Sequence, residues 1–200
     1  MSVPQRSLKM ARILIVYGTT EGQTRKVAAH LATVAREVGA DVEMYDATSL
    51  PPSLTVGPFT GVFVAASLHA GHHQAAIAHF IRSNLHALNA ANATFLSISL
   101  SAAGDEKDRD EAWTCAKQFL SDTGWHPTYT HIVAGALRYT QYDFFRRWIM
   151  KRIAKEKGAP TDTSRDVEYT DWVALDGYVK ELISAPARAP RPVSARDAKH

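Results

Sequence analysis

The sequence predicts an α/β domain, a parallel sheet covered by helices on both faces, and three observations carry that expectation. Arg12–Tyr17 (RILIVY) is apolar and β-branched with little alternation, as in a strand buried on both sides. It breaks at Gly18 into Thr19-Thr20-Glu21-Gly22-Gln23-Thr24, and from about Gln23 the apolar residues Val27, Ala28, Leu31, Val34 and Val38 recur at helical spacing. The same strand-then-helix alternation continues down the chain, which favours a parallel sheet.

Taken in order, residues 1–11 read as a flexible lead-in. Asp41–Asp46 (DVEMYD) reads as the second strand, and Ala47–Pro58, with three prolines, as a loop. Gly61–Ala66 (GVFVAA) reads as the third strand and Gln74–Asn84 as a helix. Ala93–Leu100 (ATFLSISL) reads as the fourth strand, and Glu111–Thr123 as a helix with Trp113, Ala116, Phe119 and Leu120 on one face. His131–Ala136 (HIVAGA) is the expected fifth strand and Asp171–Ile183 the last helix. The Pro-, Ala- and Arg-rich tail, 185–200, reads as disordered. No internal repeat is evident, and the 200 residues suit one domain, expected over 12–183.

Composition narrows the function. No run reaches the ~18 apolar residues of a membrane span, and the N-terminus lacks the apolar core of an export signal, so the cytoplasm is the expected compartment. One cysteine, Cys115, excludes an internal disulfide and any cysteine-based zinc or iron–sulfur site, and its helical context reads as a core thiol. Charge is concentrated. Arg138–Lys157 carries seven cations against Asp143 and Glu156, a local +5 in a chain of net +3, so the remainder is −2. That pattern calls for a local anionic partner.

The loop at 19–24 directs backbone N–H groups and the positive end of a helix at one spot, which favours an anion. It has neither the lysine of a triphosphate-binding loop nor the GxGxxG turn of dinucleotide folds. Three threonine hydroxyls with amides suit a phosphomonoester. The loop resembles the flavodoxin phosphate loop, T/S-x-T-G-x-T, which implies FMN. Five strands in about 170 residues match the flavodoxin-like three-layer sandwich, with sheet order 2-1-3-4-5. Ligands in such sheets bind outside the carboxyl ends of the strands. The loops Thr19–Thr24, Ser67–His73 and Ser99–Asp105 are then expected to meet there.

Further along, AGALRY (Ala134–Tyr139), TDT (Thr161–Thr163) and EYTDW (Glu168–Trp172) flank a basic aromatic segment. With EGQTRKVA (Glu21–Ala28) and Ser67, Gly71 and His72, they make the chain similar to the flavodoxin-like menaquinone-dependent protoporphyrinogen IX dehydrogenases of bacteria. The resemblance runs from about Arg12 to Ile183. It departs from the family pattern at His69 and Ala70, where an arginine and an aromatic are expected. It implies oxidation of protoporphyrinogen IX to protoporphyrin IX, with FMN passing electrons to a respiratory quinone (menaquinone or ubiquinone) at the membrane, in haem biosynthesis. The implied cofactor residues are Thr19, Thr20, Glu21, Gly22, Gln23, Thr24, Ser67, Leu68, His69, Gly71, His72, Ser99, Leu100, Ser101 and Gly104.

The basic insertion, 138–160, lies between the fifth strand and the last helix. Tyr142–Ile153 (YDFFRRWIMKRI) can form a helix with an aromatic-aliphatic face. Arg138, Tyr139, Phe144, Phe145, Arg146, Arg147, Trp148, Lys151 and Arg152 are expected to contact substrate or membrane. The aromatics suit an anionic headgroup boundary and the cations either lipid or propionates. A helix packed on the domain with a solvated basic back would account for the same residues. Peripheral contact with the inner face of the cell membrane follows from the former reading.

His69, His72 and His73 cluster without a carboxylate in their loop, so no metal is expected. The basic segment belongs to no recognised nucleic-acid module, and none is expected as partner. No residue identifies itself as a catalytic base. The competing function is a flavodoxin-type electron carrier or another FMN quinone reductase. Carriers are usually acidic, so the local basicity favours the enzyme. A homo-oligomer is compatible with the sequence.

Overall fold

The computed structural model describes residues 10–137 and 167–185. Residues 1–9 and 186–200 and the whole basic aromatic stretch, Arg138 to Arg152 included, lie outside the described residues.

Five parallel strands form the sheet: β1 (Arg12–Gly18), β2 (Asp41–Asp46), β3 (Gly61–His69), β5 (Ala93–Ser99) and β6 (Tyr129–Ala134). Their order is β2-β1-β3-β5-β6, so the five run 2-1-3-4-5 as expected. Register follows residue pairs such as Ile15↔Met44, Val16↔Val64, Val64↔Phe95 and Ile98↔Val133. Helices α1 (Gln23–Glu37), α2 (Ala75–Ser83), α3 (Leu85–Ala90), α4 (Glu106–Thr123) and α5 (Trp172–Ser184) cover it.

The period-2 pleat splits each strand between two cores. Ile13, Ile15, Tyr17, Phe63, Ala65, Leu96 and Ile98 pack with Val27, Leu31, Leu175 and Val179 under α1 and α5. Leu14, Val16, Val62, Val64 and Phe95 pack with Ile77, Phe80, Ile81, Leu88 and Trp125 beneath α2, α3 and the end of α4. Burial on both faces explains why Arg12–Tyr17 shows no alternation.

Three elements differ from the sequence expectation by more than one residue. β3 continues three residues beyond Ala66 and folds back into β4 (His72–His73), pairing Leu68↔His73 and His69↔His72. Much of the expected second loop is therefore a hairpin. The helix expected over Gln74–Asn84 is α2, with Gln74 as its N-cap and Asn84 as its C-cap, and α3 follows directly from Leu85. α4 starts at Glu106 because the Asp105 carboxylate caps it, accepting from Asp108 N–H at 3.0 Å. The last parallel strand starts at Tyr129 and stops at Ala134. Gly135 then leaves the sheet, and β7 (Ala136–Leu137) pairs antiparallel with β8 (Val167–Glu168). Among the described residues no helix is long and apolar enough to cross a membrane.

Candidate functional site

The carboxyl ends of β1, β3, β5 and β6 converge on one cleft of about 190 Å³. Each wall has a local cause. β1 ends at Gly18, where a Cβ would lie 2.7 Å from Ile77 Cγ1, so only glycine lets α2 approach. The chain then turns through Thr19, whose Oγ1 accepts from Gly22 N–H at 2.9 Å. Gly22 takes a left-handed conformation (φ 86°) that a side chain would strain.

α1 begins without a side-chain cap and without an acidic residue in its first turn. Its N–H groups and positive dipole end are left to an external anion. Thr24, fully buried on that turn, lines the cleft, and its Oγ1 has no hydrogen-bond partner. Gln23 is held sideways instead: its Nε2 donates to Glu168 Oε1 at 2.5 Å and to Thr170 Oγ1 at 2.9 Å. Lys26 Nζ lies 3.7 Å from the same Glu168.

The hairpin between β3 and β4 supplies the second wall. Ala70 (φ 48°) and Gly71 (φ 84°) sit at its tip, both with positive φ as in a type I′ turn. His73 anchors the hairpin's return. Its Nε2 lies 2.9 Å from Ser97 Oγ, and its ring packs against Phe95 and Phe119. Burial, and then the neighbouring charge of His72, lowers its pKa to about 4, so it is neutral at pH 7. His69 Nδ1 stands 3.9 Å from Glu21 Oε1, across the mouth between the first loop and the hairpin.

The third wall follows β5. Ser99 Oγ accepts from Ala102 N–H at 3.2 Å and starts a short 3₁₀ turn, Ser101–Ala103. Beyond it Glu111, Ala112 and Cys115 of α4 face the cleft, together with Gly135 and Ala136 after β6.

Of the residues singled out from sequence, Thr19, Thr20, Glu21, Gln23, Thr24, Ser67, Leu68, His69, Gly71, Ser99, Leu100 and Ser101 line this cleft. Gly22 shapes the first loop from behind. His72 points outward on the hairpin, and Gly104 serves the start of α4. A Cβ on Gly104 would meet Asp108 at 2.3 Å, and its carbonyl accepts from Arg109 Nη1 at 2.9 Å. Ala70, Ile98, Glu111, Ala112, Cys115, Gly135 and Ala136 line the cleft without having been singled out for it. Cys115 is a half-buried thiol on this wall and not a core thiol. The signal for the α4 wall was Asp105-x-x-Asp108: that cap moves the helix start five residues earlier and brings Glu111 and Cys115, one turn apart, to the sheet edge.

Chemically, one end of the cleft, at the uncapped start of α1, has the donors and dipole end that suit an anion. The other is a slot between the hairpin tip and the Leu100–Ser101 corner, floored by aliphatic Leu68 and Ile98. No Phe, Tyr or Trp is among the described lining residues. Among the described residues no group of three His, Cys, Asp or Glu side chains is placed to hold a metal ion.

Comparison with known proteins agrees with this architecture. Residues 14–164 match the family model described as flavodoxin domain. The chain is 31% identical over 171 residues to the Escherichia coli K12 protein named protoporphyrinogen IX dehydrogenase (quinone), covering 86% of this chain and 94% of that one. A Leishmania major protein of the same name is 29% identical over 185 residues, covering 90% of this chain and 79% of that one. Among solved structures, oxidised flavodoxin 1 from Bacillus cereus superposes with a TM-score of 0.52 at 13% identity, over 88% of this chain and 99% of that one. The chain belongs to the flavodoxin-domain family, and the relatives it matches along most of their length are oxidoreductases.

Proposed function

We propose that the chain binds FMN in this cleft and oxidises protoporphyrinogen IX to protoporphyrin IX, with a respiratory quinone as electron acceptor. The observation that carries the FMN assignment is the buried, unpartnered Thr24 hydroxyl on an uncapped helix start behind a left-handed glycine. Leaving a buried hydroxyl unsatisfied costs about 1–3 kcal/mol, and a phosphate oxygen removes that cost. The α1 amides, with Thr19, Thr20 and Thr24, would hold the phosphomonoester. The hairpin tip and the Leu100–Ser101 corner would hold the flavin ring between them and keep water from its faces. When bound, FMN supplies the redox chemistry, taking hydride equivalents from the porphyrinogen and passing the electrons to quinone.

The substrate assignment rests on the relatives' printed names and on the length over which the chain matches them. The concentrated charge of residues 138–157 supports an anionic partner: substrate propionates, or the membrane surface where quinone resides. We assign the segment to peripheral membrane contact. Removing Gln141–Lys157 is expected to abolish co-sedimentation with anionic vesicles and quinone-coupled turnover while FMN stays bound.

The decisive experiment is a visible spectrum of the purified chain, then porphyrin fluorescence after adding protoporphyrinogen IX with and without quinone. A flavin spectrum with quinone-accelerated porphyrin formation is expected. Bound flavin without porphyrin would make the chain an electron carrier. A colourless protein that FMN cannot reconstitute would overturn the whole reading.

A further inference from the structure

We propose that Gln74, which does not line the cleft, is a positioning residue that fixes the Thr20 and Ser67 hydroxyls as hydrogen-bond donors to a bound phosphomonoester. The inference rests on the FMN reading above and adds a determinant of its anion end.

Gln74 is the N-cap of α2, yet its side chain makes no capping hydrogen bond. It turns away from its own helix. Nε2 donates to Thr20 Oγ1 at 3.1 Å and also to Ser67 Oγ. Thr20 and Ser67 both line the cleft, and their hydroxyl oxygens lie 3.3 Å apart. One amide group thus joins the loop after β1 to the end of β3.

The proton count gives this triad a direction. An amide nitrogen has two N–H donors and a hydroxyl has one. If Thr20 and Ser67 each accept from Gln74, neither proton is spent on Gln74. At most one serves the bond between them, so at least one is left for an acceptor in the cleft that both residues line. A phosphate accepts only, and donors held in place cost it no reorganisation.

The amide orientation has its own support. Gln74 Oε1 is buried without a hydrogen-bond partner and lies beside Gly18, 3.1 Å from where a Cβ would stand. There the oxygen can accept only a weak contact from the glycine C–H. Reversing the amide would bury two N–H donors against Gly18 and Ile77, and would turn both hydroxyls inward to donate to Oε1. The observed orientation leaves the smaller deficit.

Gln74→Glu reverses the polarity at nearly constant shape, because a carboxylate only accepts. The test measures dissociation constants of FMN and riboflavin for the full chain and this variant by flavin fluorescence, from pH 7.5 to pH 5, beside thermal melts. The expected result is a roughly 10- to 100-fold weaker FMN complex at pH 7.5. Riboflavin, which lacks the phosphate, should change much less, and FMN affinity should recover towards pH 5 as the new carboxyl gains a proton. A purely structural role would lower both flavins together and show no acid recovery, which overturns the inference. FMN binding within twofold of the parent also overturns it. If Gln74→Glu fails to fold, Gln74→Met replaces it: loss of FMN over riboflavin supports the inference, and an equal loss of both counts against it. A parent chain that takes no FMN defeats the functional reading itself, and this inference with it.

Discussion

Gln23 and Thr170 stand 147 positions apart, yet Gln23 Nε2 donates to Thr170 Oγ1 at 2.9 Å, and the Thr170 hydroxyl donates on to Ala134 carbonyl at 2.8 Å. Both side chains are buried. This relay ties the N-terminal end of α1 to the end of β6 and to the strand that returns after residue 166. Thr170→Val keeps the shape and leaves two buried partners unsatisfied, so it should cost about 1–3 kcal/mol in urea unfolding. Thr170→Ser should recover most of that loss. Equal stability of the valine variant would show that the relay holds nothing.

Thr24→Val separates binding from stability. The hydroxyl has no partner in the protein, so its removal should leave the ligand-free chain equally stable or up to about 1 kcal/mol more stable. FMN affinity should fall roughly 10-fold or more. Thermal melts with and without FMN read both effects, and a destabilised free chain would count against the vacancy of that hydroxyl.

His73 makes the hairpin acid-sensitive. Its folded pKa, about 4, lies below its ordinary 6.5, with burial the main cause. Its contribution to stability is therefore complete above pH 6.5 and is lost as pH falls from 6.5 towards 4, by at most roughly 3 kcal/mol. His73→Gln can keep a hydrogen bond to Ser97 without the titration. Urea midpoints at pH 7 and pH 4.5 should therefore fall less in the variant than in the parent. Parallel losses would remove His73 from the acid response.

The hairpin tip carries the only positive φ among the described non-glycine residues, Ala70 at 48°. Ala70→Gly should gain about 0.5–1 kcal/mol, since relief of left-handed strain exceeds glycine's entropic cost. Gly71→Ala should lose about 1 kcal/mol at φ 84°. Differential scanning calorimetry of the pair checks the sign of each, and a stabilising Gly71→Ala would refute the turn geometry.

The sheet and its edge were legible because they depend on local pattern. The unbroken apolar run of Ile13–Val16 requires burial on both faces, and Gly22 between Thr19 and Thr24 requires a turn into a helix. Those two facts placed the first strand, its turn and its helix, and the count of five strands with the resemblance to the flavodoxin-like sandwich led to the strand order. Sequence alone also marked Ser67 and Ser99 as strand-end residues near the same point. What it could not supply were relations between distant side chains. Whether Gln74 capped its own helix or reached across to Thr20 and Ser67 depended on how closely β1 and α2 approach over Gly18. Whether Cys115 lay in a core or on a wall depended on where Asp105 let α4 begin. A local pattern fixes the period of burial and the breaks in it, since those are set by the backbone within one element. The direction of a donor, the absence of a partner at Thr24 and the second wall of the cleft are set only when several elements pack together.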